Sequence, residues 1–178
     1  DSMMACAAEG NLALLAAALV DQNYSVHDIL KQVKKLQEAT HFLLVVYNMR
    51  ALSKTGRIMS RSPLIGAILG TRTILTFNKA GRLALVTNAH HMDNAFKKVK
   101  LMMDEKLLNS SVEQRISVLD ANNSELNQEW QSEIRNQYQT ATIETGEIGP
   151  FMGVHTGEKS MGIVWAPDWQ DFLGSDVH

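Results

Sequence analysis

The chain has 178 residues, 45% of them apolar, which fits one domain of ordinary size with enough greasy surface for a proper core. Its 17 Lys and Arg nearly balance 19 Asp and Glu and are scattered along the chain, so there is no electrostatic footprint for nucleic acid or an acidic membrane. Cys6 is the single cysteine, which excludes an intrachain disulfide, a CxxC pair and a Cys/His zinc pattern and leaves the cytoplasm as the default setting.

The chain opens Asp1-Ser2 without an initiator methionine, as a fragment would. The apolar stretch over residues 12–20 is too short to span a bilayer and follows no basic region, so a buried helix is expected there and no membrane span. "NLALLAAALVD", residues 11–21, follows Gly10 and is apolar almost all round, which predicts a helix packed on more than one side. In "SVHDILKQVKKLQEAT" Ser25 stands three residues before Asp28, a capping-box pattern, and Ile29, Leu30, Val33 and Leu36 recur at helical spacing. "HFLLVVYN", from His41, predicts a buried strand. A brief helix ending near Gly56 should follow, then another that starts at Ser62-Pro63 and closes at Gly70.

"TRTILTFN" and "GRLALVTN" are β-prone runs joined through Asn78-Lys79-Ala80-Gly81, which predicts a hairpin. Met92, Ala95, Phe96, Val99, Met102, Met103 and Leu107 mark a helix, and "RISVLD" a strand. Leu126, Trp130 and Ile134 fall four apart on a helix over residues 124–138. "ATIET" and "MGIVW" are expected as the last two strands, separated by a glycine-rich loop. The resulting fold class is α+β, or mixed α/β, with a sheet of about five or six strands containing an antiparallel hairpin and flanked by helices. Residues 1–167 form one lobe and residues 168–178 a polar tail, which Trp169, Phe172 and Leu173 are placed to tie down.

Few residues point to chemistry. Gly149, Gly153 and Gly157 allow close backbone approach to a ligand, while His155 and Thr156 add a titratable ring and a hydroxyl, a combination suited to a carboxylate or phosphate and also to a plain turn. Arg57 follows Gly56 at the expected end of a helical turn, where a guanidinium either forks onto an anion or answers the helix dipole; Arg72 has the same standing, and Arg82 reads as a surface charge. His90 and His91 are adjacent, so on a helix they diverge by about 100° and make no two-histidine metal face. Cys6 has no base beside it and reads as a small buried hydrophobe. Met102 and Met103 belong to a core stripe, with a flexible lipid cavity as the lesser option. No GxSxG elbow, P-loop or GxGxxG occurs.

Taken together, Asp1-Ser2, the helix after Gly10, "ALSKTGRI", "PLIGAILGTRTIL" and "IGPFMGVHTGEKSMGI" resemble the DegV family of fatty-acid-binding proteins over most of the chain. The resemblance implies the C-terminal portion of a carrier that holds one long-chain fatty acid in a tunnel between two lobes, with the N-terminal lobe preceding Asp1. It implies that the carrier presents the carboxyl group to a fatty acid kinase, is itself no enzyme and needs no cofactor. Arg57 and His155, with Thr156 as helper, would then sit at the carboxyl end of the fatty acid. Where the family has Gly-Gly-Arg this chain has Thr55-Gly56-Arg57, and for Lys-Pro-Ile-Leu it has Arg72-Thr73-Ile74-Leu75. His90 replaces an arginine of the kinase-facing surface, and Glu158-Lys159-Ser160 replaces the second glycine region. Two other readings stand beside the carrier: an acyl- or phosphoryl-transfer enzyme fragment with His155 as general acid/base and Arg57 stabilising an anion, and a regulatory module whose groove takes a partner helix.

Overall fold

A computed structural model describes residues 2–49, 52, 70–107 and 110–174. The apolar run at His41 becomes strand β1 (His41–Val46), buried at five of its six positions as a central strand covered on both faces must be. Its period of two sends Phe42, Leu44 and Val46 to one face of the sheet and Leu43 and Val45 to the other. Strand β2 (Arg72–Phe77) pairs antiparallel with β1 and continues into β3 (Leu83–Ala89), giving the expected hairpin. The hairpin turn is set by Asn78, whose Oδ1 accepts the Ala80 and Arg82 amides, and by Gly81 at φ 68°.

On the other side of β1 lies β6 (Met161–Pro167), followed by β4 (Gln114–Asp120) and β5 (Thr142–Glu147), so the six strands run in the order β3-β2-β1-β6-β4-β5. Only β4 and β5 pair in parallel, and the connection between them carries a helix, as a parallel crossover requires. The expected sheet of five or six strands is therefore present at six. The strands around "GVHTG" are not neighbours, because β4 lies between β5 and β6.

Helices cover both faces. Against Val45, Ile74, Ile116, Val118 and Ile163 pack α3 (Met92–Leu107) and α4 (Ser124–Gln137), where Phe96 stacks on Trp130 with centroids 4.3 Å apart. The opposite face, Phe42, Leu44, Leu75, Leu119 and Val164, receives Ala8 of α1 (Cys6–Asp21) and Met152 of α5 (Pro150–Thr156). Helix α2 (Val26–Ala39) joins α1 through Leu36 against Leu12, Leu15 and Leu19.

Ser25 caps α2 as its sequence predicts, accepting the Asp28 amide at 3.2 Å. Leu30, however, is 64% exposed, and the buried stripe runs through Gln32 and Leu36 with Ile29 and Val33 beside it. Helix α1 starts at Cys6 and not after Gly10, since seating Ala8 in the core extends it one turn towards the N-terminus. The segment expected as a glycine-rich loop is a helix, opened by Pro150 at its first turn and stopped by Gly157 at φ 75°. The two short helices expected between β1 and Gly70 lie outside the described residues, apart from Met49 and Leu52. Beyond Pro167, a single 3-10 turn (Trp169–Phe172) lays Trp169, Phe172 and Leu173 against the α1–α2 cluster. Among the described residues no helix is long and apolar enough to cross a membrane.

Candidate ligand-binding site

Helix α5 has only seven residues and two glycines at or inside its first turns, so its own propensity is poor and tertiary contacts must hold it. Its exit is pinned to the ends of three strands. The buried Ser160 hydroxyl donates to the Thr156 carbonyl at 2.9 Å and accepts the Tyr47 amide at 3.2 Å. The Lys159 amide donates to Ala121 O at 2.7 Å, and the Ala121 amide returns a bond to Ser160 O at 2.9 Å. Lys159 adopts φ 63° where a glycine would be at ease. These bonds fix the last turn of α5, which carries His155 and Thr156.

His155 has a buried Nδ1 and Thr156 a buried Oγ1, and neither atom has a hydrogen-bond partner among the described residues. Eight other buried side-chain atoms among the described residues share that state, so it is the cavity beside it that distinguishes His155. The Phe151 ring stands edge-on to His155, with centroids 6.2 Å apart at 87°. His155 lines a cavity of about 420 Å³ with Met3, Met4, Phe77, Leu83 and Met152. Arg82 is on the rim, and no carboxylate is among the described lining residues. A largely apolar recess with basic groups on its lining, and no acid among its described lining residues, has the chemistry to accommodate an amphipathic molecule that is neutral or anionic at one end.

Of the residues singled out from sequence, His155 lines the cavity, whereas Thr156, its neighbour in the chain, is fully buried and is not among the lining residues. Arg57 lies outside the described residues. Arg72 is engaged elsewhere, its Nη1 donating to Tyr47 O at 3.1 Å and its guanidinium 3.8 Å from the Tyr47 ring centroid. His90 borders a separate recess of about 470 Å³ with Asn88, Asn94, Lys97 and Lys98, where Lys98 Nζ donates to Asn88 O at 2.6 Å. The described residues contain no group of His, Cys, Asp and Glu that could hold a metal ion. Burial pushes the Cys6 thiol pKa up, against a smaller opposing pull from the Gly149 amide, so at neutral pH the thiol stays protonated. Sequence reading missed Met3, Met4 and Arg82. Phe77 and Leu83 were within reach, since partners across a tight hairpin share a face.

A six-stranded sheet covered by helices on both faces, with a cavity beside a pinned helix, defines a mixed α/β lobe. A family profile described as "Uncharacterised protein, DegV family" matches residues 1–168, and the chain belongs to that family. A DegV domain-containing protein of Listeria innocua is 25% identical over 166 residues, covering 93% of this chain and 58% of the relative. The chain thus spans a little over half the length of the curated relatives it matches. The crystal structure of DegV, a fatty acid binding protein from Bacillus subtilis, superposes with a TM-score of 0.84 at 26% identity, over 94% of this chain and 59% of that one. The Streptococcus pneumoniae fatty acid kinase B3 protein, loaded with linoleic acid, shares the fold at a TM-score of 0.74 and 22% identity, over 88% of this chain and 55% of its own.

Proposed function

We propose that this chain is the C-terminal lobe of a cytoplasmic lipid carrier that holds a long-chain fatty acid and presents its carboxyl group to a fatty acid kinase. The observation that carries the reading is His155 on the lining of a largely apolar cavity whose described lining residues include Arg82 and no acid. The solved relatives named as fatty acid binding and as loaded with linoleic acid support it. Burying acyl methylenes contributes about 0.8 kcal/mol each, on the order of 12 kcal/mol for a tail of about sixteen carbons before ordering costs. The tail supplies affinity; the carboxylate must then be paired or it costs several kcal/mol. His155, Thr156 and Arg57 form that pairing set, completed by an N-terminal lobe. The chain performs no catalysis of its own and requires no cofactor. An enzyme reading would need a nucleophile beside His155, and the one thiol of the chain is held protonated.

Gently purified full-length protein should release a fatty acid on lipid extraction and show the matching mass increment by native mass spectrometry. His155→Gln and Arg57→Ala should each weaken palmitic acid binding by about tenfold or more with the unfolding midpoint unchanged. Unaltered affinity in either variant removes that residue from the pairing set, and a protein that takes up no fatty acid ends the carrier reading.

A further inference from the structure

Arg82 sits at the foot of the β2–β3 hairpin, in a position its sequence context marks only as surface charge. Its backbone is fixed: the Arg82 amide donates to Asn78 Oδ1 at 3.1 Å, and the Asn78 amide donates to Arg82 O at 2.9 Å. The turn is also pressed against the start of the chain, since a Cβ on Gly81 would meet Met3 Sδ at 2.8 Å. The root of the side chain is therefore held at the chamber rim while its guanidinium makes no hydrogen bond or ion pair among the described residues.

Three other described cations of this region are already engaged. Arg72 is bonded to and stacked on Tyr47, Arg115 is paired with Glu144 and Asp168, and Lys98 bonds Asn88 O and Thr87 Oγ1. Arg82 alone among the described basic residues other than histidine lines the chamber, no acid is among the described lining residues, and it shares that lining with His155. Guanidinium is weakly hydrated and presents a planar fork of donors, so it can follow a carboxylate to a half-wet rim at little desolvation cost.

Resting on the carrier reading above, we propose that Arg82 is a second anchor for the acidic group of the ligand, reaching over the chamber from the hairpin while His155 meets the same group from α5. Its aliphatic stem shares this lining with the apolar Phe77 and Leu83.

The test compares palmitic acid with hexadecanol, which keeps the tail and loses the charge, in the full-length wild type, Arg82→Gln and Arg82→Lys. Binding is followed by displacement of a fluorescent fatty acid. Arg82→Gln should weaken palmitic acid roughly tenfold and leave hexadecanol within about twofold, Arg82→Lys should restore part of the loss, and the acid's affinity in the wild type should fall with added salt. Equal affinity of wild type and Arg82→Gln for palmitic acid overturns the proposal. So does a parallel loss for acid and alcohol, which would make the side chain an apolar cover only. A wild type that binds neither probe overturns the carrier reading itself, and this inference with it.

Discussion

His41 begins β1 with its ring stacked on Trp165, centroids 5.0 Å apart and planes at 24°. Burial, and secondarily the charge of Lys106, lower its pKa from the usual 6.5. The unfolded chain therefore takes up a proton at a pH where the folded one resists it. The contribution of His41 to stability is complete above its ordinary pKa and is lost as pH falls through the lowered folded value. His41→Phe keeps the stacking and removes the proton, so its stability should decline less than that of the wild type between about pH 7 and pH 5. Urea unfolding at several pH values in that interval reads this directly, and parallel pH slopes would contradict it. At this scale the sequence exposes only what a residue can do alone. His155 stood out because a titratable ring lay among glycines, whereas Arg82 looked idle because its relation to the chamber depends on Met3 and α5, which are distant in the chain.

Among the elements, β4 carries a tight packing arrangement. Leu119 is paired in register with Gly146 of β5 on one side and Gly162 of β6 on the other. Cβ atoms at these glycines would meet the Leu119 side chain at 2.8 Å and 3.3 Å. The leucine spreads into the space that both neighbours vacate, and from there it supports Ile148 and Met152, the approach to α5. Leu119→Ala would leave a void flanked by glycine on two sides, so little could collapse into it, and a loss of about 3–5 kcal/mol is expected by chemical denaturation. Gly162→Ala should cost less, about 1–3 kcal/mol, by overpacking the same spot. If both variants unfold at the wild-type midpoint, the sheet is looser at this point than its geometry indicates. The hairpin was legible because Asn78 and Gly81 impose a turn by their own chemistry, and the long helices because apolar residues recur over several turns. Helix α5 was not: seven residues give too short a window for periodicity, and the helix depends on Ser160 and Lys159 bonds made to other strands. Nor was the insertion of β6 between β1 and β4, since non-local pairing leaves no mark on adjacent residues.

For the molecule as a whole, the two faces of the sheet divide the labour. Helices α3 and α4 seal one side with stacked aromatic rings, leaving the side of α1 and α5 to hold the chamber. The far end of β4 is closed by charge. Arg115 donates to Asp168 at 2.8 Å and also pairs with Glu144, with only 11% and 5% of the Arg115 and Asp168 side chains exposed. Removing one partner of such a pair strands the other in a dry setting, so Asp168→Asn should lower stability by about 3 kcal/mol or more in a denaturant titration. A loss under about 1 kcal/mol would mean that Glu144 suffices alone.

Asp168 stands one position past the end of β6, on the side of the 167/168 line that its polar sequence assigns to a tail. Anyone trimming the gene for expression would be tempted to place a stop codon there. Doing so would discard the carboxylate that neutralises Arg115 together with the tryptophan that shields it, and the shortened product should precipitate or be degraded for reasons unrelated to its ligand. A stop placed after Gly174 keeps both, and is the safer terminus for any recombinant version.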